Sequence, residues 1–118
     1  MTRVLLLVGM LTIAATARGT AGETVEIRIN GRYFTAPATV QMVIAVEPNA
    51  ANRTLRIEAD GDQMYRSTEV TLEGDSEKRL HTIEFKNLQA GVYEVRAEVL
   101  SGNGVRGMAT QELEVTGR

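Results

Sequence analysis

Ile83-Glu84-Phe85-Lys86-Asn87-Leu88-Gln89-Ala90-Gly91-Val92-Tyr93-Glu94-Val95 holds the end of one strand pattern, a turn, and the start of another. Before the turn, His81, Ile83 and Phe85 fall on one side of an extended segment from Leu80 to Phe85. After it, Tyr93, Val95, Ala97 and Val99 share a face opposite Glu94, Arg96 and Glu98. Such alternation is the mark of a strand with one face in a core and one in water. Tyr93 therefore stands at the start of its strand and faces inward. A buried phenol needs a hydrogen-bond partner, because an unpaired one costs about 1–3 kcal/mol.

The same period-two pattern extends both ways along the chain. Toward the N-terminus, Arg53 to Ala59 places Leu55, Ile57 and Ala59 inward and Arg56 and Glu58 outward. Met64 to Leu72 offers Val70 and Leu72 to the core. Val40, Met42, Ile44 and Val46 share a face, while Val43 and Ala45 suggest cover on the other. Val25 to Ile29 alternates and is followed by Asn30-Gly31, a strong signal for a two-residue hairpin turn, with Arg32 to Thr35 as the returning strand. Toward the C-terminus, Ser101-Gly102-Asn103-Gly104 reads as a tight hairpin. Val105 to Val115 is the last strand, with Leu113 and Val115 inward and Gly107 marking a bulge or bend. No segment after residue 22 carries helical periodicity. About seven strands with turn signals at roughly 8–12-residue spacing predict a single all-β sandwich.

Within the quoted stretch, Leu88, Gly91 and Tyr93 resemble the corner between two strands of immunoglobulin-like and fibronectin type III domains, which often carry Leu, two residues, Gly, one residue, Tyr. The resemblance implies a tyrosine corner, with the phenol in the core and its hydroxyl bonded to nearby backbone. Gly91 would then permit the tight turn. The chain lacks Trp and Cys, so the buried tryptophan and paired cysteines of antibody domains are absent. The likeness is closer to fibronectin-like or exported bacterial immunoglobulin-like sandwiches. The corner also resembles small transthyretin-like sandwiches, which remain an alternative fold. Function does not follow from any of these folds.

Residues 1–21 have the order of a secretory leader: Arg3, an apolar run from Val4 to Ala15, then small and polar residues. The run is about 12 residues, short of the ~20 that span a bilayer. Cleavage after Ala21, with Gly19 two residues before it, is preferred to cleavage after Ala17, and residues 22–118 form the mature domain. The chain is thus expected to be periplasmic or secreted and not membrane-spanning. Removing residues 1–21 takes Arg3 and Arg18 from the 13 basic residues and none of the 15 acids, so the formal charge goes from −2 to −4. With no basic cluster interleaved with aromatics, nucleic acid is not an expected partner. Without Cys, stability rests on packing and strand pairing alone.

Side chains with chemical potential are few. His81 is the single histidine and there is no Cys; a nucleophilic triad or zinc centre needs more partners than that. The composition is read as non-enzymatic, with no catalytic, metal or cofactor-binding residue expected, and His81 as a strand residue satisfied by a neighbour or water. Asp60, Asp62, Glu73, Asp75 and Glu77 lie in loops, where carboxylates bind calcium, but Asp and Gly also build ordinary turns. Glycan binding by such sandwiches relies on aromatic platforms, and the only aromatics are Tyr33, Phe34, Tyr65, Phe85 and Tyr93. Arg53, Tyr65 and Arg66 stand as weak candidates for an anionic or protein contact. The leading expectation is an exported interaction or scaffold module, acting through loops or a sheet edge on another exported protein or cell-surface component. A ligand- or glycan-binding accessory domain and an inhibitor or chaperone-like protein are the alternatives.

Overall fold

The computed structural model describes residues 24–117; the leader and its cleavage positions lie outside them. The described residues are β1 (Val25–Ile29), β2 (Tyr33–Thr35), β3 (Ala38–Val46), β4 (Thr54–Gly61), β5 (Tyr65–Thr71), β6 (Leu80–Leu88), β7 (Gly91–Ser101) and β8 (Gly104–Thr116), with a short 3₁₀ turn at Gly74–Ser76. Two sheets face each other. The smaller has the order β1-β3-β6 and the larger β2-β8-β7-β4-β5. Every neighbouring pair is antiparallel except β2–β8. First, third and sixth strands in one sheet, with the closing β7–β8 hairpin in the other, give an immunoglobulin-like sandwich.

One turn differs from the sequence reading. Asn30-Gly31 does not close a hairpin. β1 pairs with β3, Val25 opposite Val46 and Ile29 opposite Met42, whereas β2 pairs in parallel with the end of β8, Tyr33 opposite Glu114. The dipeptide carries the chain from one sheet to the other, with Gly31 at φ 112°. Gly31 takes the positive φ that the dipeptide signals, Asn30 does not, and no hairpin forms. A returning strand of three residues, ended by Pro37, leaves too little ladder to hold a hairpin. With the short β2 counted, there are eight strands rather than about seven.

The core lies between the sheets, and the inward residues of the sequence reading line it. Val40, Ile44, Leu55, Ile57, Val95 and Val99 are fully buried, and Phe85, Leu113 and Val115 nearly so. Val70 packs against this core but is half-buried, since β5 is an edge strand. Ala45, on the outer face of the smaller sheet, is also buried, and Val43 is half-buried. The β7–β8 hairpin closes with Ser101 opposite Gly104, and the register slips between Val99–Gly107 and Leu100–Val105, placing a bulge at Arg106. At Gly107 the sheets meet: a β-carbon there would lie 2.6 Å from Thr24 Cβ.

The corner closes as the alternation requires. Tyr93 is 1% exposed, and its hydroxyl donates to the Gln89 carbonyl at 2.6 Å. Asn87 and Gly91 both take positive φ, 61° and 153°, which folds the β6–β7 connection back under the ring. Leu88 is fully buried beside it. Gly61 has a second role besides its turn: a β-carbon there would meet the Tyr93 ring at 2.7 Å.

Candidate functional site

The outer face of the larger sheet carries charged side chains in three register rows. Strand register puts Glu112, Glu94, Asp60 and Tyr65 in one row across four strands. The next rows are Thr110, Arg96, Glu58 and Ser67, then Met108, Glu98, Arg56 and Glu69. Alternation along each strand brings these side chains to one side; the register decides which of them meet.

The lower rows are knitted together. Arg56 donates to Glu98 at 2.6 Å, and Arg96 donates to Glu58 and Glu94, both at 3.1 Å. The Tyr65 hydroxyl donates to Glu58 at 2.8 Å. That bond, ahead of partial burial and the charge of Glu58, holds the Tyr65 phenol above its usual pKa. The Glu98 hydrogen bond and charge hold Arg56 in its charged form. The top row sets Glu112, Glu94 and Asp60 directly opposite one another, an arrangement of like charges that disfavours pairing. Glu94 has Arg96 and Glu112 has Arg32 at 3.9 Å; among the described residues Asp60 has no ion-pair partner. This face is acidic.

The larger sheet also leaves an edge open. β2 covers only Glu114–Thr116 of β8, so among the described residues no strand pairs with β8 on that side before Glu114. Two concavities flank this edge. A shallow groove of about 490 Å³ is lined by Ile27, Arg28, Ile29, Asn30, Val43, Leu80 and Gln111. A smaller one of about 110 Å³ lies among Arg32, Tyr33, Val92, Glu112, Leu113 and Glu114, with Tyr33 71% and Val92 45% exposed.

The structure does not bring Arg53, Tyr65 and Arg66 together. Tyr65 lies opposite Asp60 on the outer face, and Arg66, opposite Ala59, turns to the other side of β5. Arg53 precedes β4 at its far end, about 20 Å away at the rise of a strand, where its guanidinium donates to the carbonyls of Ala50 and Asn52. Glu77, in the acidic loop after β5, accepts the Glu73 backbone N–H at 2.8 Å. His81 is 4% exposed and faces the core opposite Ile44, and its Nε2 has no hydrogen-bond partner among the described residues. The acidic row escaped the sequence reading. Each carboxylate was legible as outward-facing, but their meeting depends on register.

No protein-family model matches the chain, and no curated protein matches its sequence. Solved structures do share its fold. A superoxide reductase (neelaredoxin) from Ignicoccus hospitalis superposes with a TM-score of 0.59 at 19% identity, covering 79% of this chain and 80% of that one. A putative superoxide reductase from Thermotoga maritima gives 0.55 at 14% identity, over 77% and 84%. The reduced form of a neelaredoxin variant from Archaeoglobus fulgidus gives 0.52 at 10%, over 78% and 89%.

These neighbours correct the non-enzymatic reading. They are named as superoxide reductases and share this sandwich, so the fold does not argue the chain out of catalysis. At such identities the likeness extends to the fold alone. Reducing superoxide needs a redox centre, and a metal serving as one takes imidazole or thiolate ligands. This chain has one His and no Cys, and among the described residues no group of three or more His, Cys, Asp or Glu is placed to hold a metal ion. The residues do not fit such a centre. Nor, among the described residues, is any helix long and apolar enough to cross a membrane.

Proposed function

We propose that this chain is an exported domain that binds another polypeptide through its larger sheet. The observation that carries this reading is the open edge of β8 beside an acidic, register-ordered face. Open edges offer main-chain hydrogen bonds to an extended segment, while neighbouring side chains select among such segments. Export is supported by the apolar run and small-residue junction of residues 1–21, and N-terminal sequencing of the exported protein is expected to begin at Gly22.

A photo-activated cross-linker placed at an outward position of either sheet tests the binding. Positions 108 and 110, outward on β8, should each trap one discrete polypeptide. Positions 82 and 84, outward on the smaller sheet, should trap none. Equal labelling from both sheets, or none from either, would contradict the reading.

A further inference from the structure

We infer that the binding slot is the β8 edge from Met108 to Glu112, and that its occupant is an extended segment of a partner protein in which basic and apolar residues alternate. This rests on the interaction reading above and makes it specific.

Backbone direction along β8 is set by its two neighbours. The Glu114 N–H donates to the Arg32 carbonyl, and the Ala36 N–H to the Thr116 carbonyl, each at 2.8 Å. Even-numbered residues at this end of β8 therefore point their N–H and C=O groups away from β7. The register with β7 continues unbroken from Val115 back to Gly107, so Met108, Thr110 and Glu112 point the same way. β2 shows that this edge accepts a strand, and it stops where these three residues begin.

Exposed edges are usually blunted by proline, lysine or brevity. β6 carries Lys86, and β1 has five residues. β8 runs 13 residues and contains neither Pro nor Lys. β5 is the other edge of this sheet, but its inward side chains include Arg66, a charge of the kind that deters strand addition, besides Thr68 and Val70. On β8 the inward positions beyond Gly107, which Thr24 already covers, are Ala109 and Gln111. These are small or slender, and the 490 Å³ groove with Ile27 and Ile29 opens alongside Gln111. An added strand would lay its apolar residues there.

Its opposite face would lie beside Glu112, whose side chain is 64% exposed, with Glu94 and Asp60 behind it in the same row. Lysine or arginine at those positions relieves the like-charge row. A second copy of this chain fits less well, since it would join two acidic faces edge to edge.

Amide hydrogen exchange of the purified protein, with and without the synthetic peptide Lys-Val-Lys-Val-Lys-Val-Lys, tests the slot. At saturation the amides of Thr110 and Glu112 should exchange about tenfold slower or more, and the matching Glu-Val peptide should change nothing. Thr110→Pro removes an edge N–H that β7 does not use, and Glu112→Lys leaves the backbone untouched. Each should weaken the Lys-Val peptide about tenfold, and agreement between them separates binding from any folding defect in the proline variant. Protection on β5 or β6 with β8 unchanged would overturn the slot and leave edge binding standing. Protection nowhere would overturn both. Self-association abolished by Thr110→Pro would assign the edge to a second copy and overturn the basic partner, and equal protection by the two peptides would overturn the charge selection.

Discussion

Tyr93 concentrates several constraints in one side chain. It fills the core with a ring, bonds Gln89 through its hydroxyl, and lies flat on Gly61. Tyr93→Phe removes one hydrogen bond and should cost about 0.5–1.5 kcal/mol. Tyr93→Ala deletes the ring as well and should cost about 3–5 kcal/mol. Urea melts of both beside wild type check the ratio. Gly61→Ala drives a methyl into the ring and should cost about 1–3 kcal/mol by overpacking. Alkali adds a further reading. Burial pushes the Tyr93 phenol above its ordinary pKa, against smaller opposing effects of Arg66 and the Gln89 bond. Above about pH 10, where a phenol in the unfolded chain loses its proton, the folded state still holds one, so stability falls as pH rises. Tyr93→Phe should show a shallower fall through this window than wild type. His81 is the opposite case. Its Nε2 is buried and unpaired, so His81→Leu should leave stability within about 1 kcal/mol of wild type or raise it, since no hydrogen bond is lost. The sequence made Tyr93 legible because its spacing and its face agree. The role of Gly61 was hidden, because Asp60-Gly61-Asp62 already made sense as a turn and nothing local announces a ring from β7 above it.

Strands were legible one by one, and their partners were not. Period two places Leu55, Ile57, Val95 and Val99 inward without knowledge of the fold, and their burial follows. Leu55→Ala or Ile57→Ala should cost about 2–5 kcal/mol in a thermal or urea melt. The β1–β2 crossover shows where local reading fails. Asn30-Gly31 specifies backbone conformation, but whether the chain returns to its own sheet depends on which strand offers a free edge. The end of β8 offered one. Gly107 is another joint between elements: Gly107→Ala must displace Thr24 at the start of β1, and should destabilise by about 1–3 kcal/mol while leaving the distant corner intact. The Tyr93–Gln89 bond, followed through slow exchange of nearby amides, reports whether that damage stays local.

As a whole, the chain joins a stiff immunoglobulin-like sandwich to one unguarded edge. The sandwich is shared with superoxide reductases at 10–19% identity, so the fold hosts enzymes, while the residues that would hold a redox metal are not present in this chain. Its candidate binding surface lies on the larger sheet: the row of Glu112, Glu94 and Asp60, and the edge beyond β2. In the free protein this edge is open. Native-state hydrogen exchange resolved to single amides tests it most directly. Ala109 and Gln111, whose N–H groups face β7, should exchange slowly, Glu114 slowly through its bond to Arg32, and Thr110 and Glu112 close to the rate of an exposed chain. Protection of Thr110 and Glu112 equal to that of Ala109 and Gln111 would show the edge already covered and contradict the account.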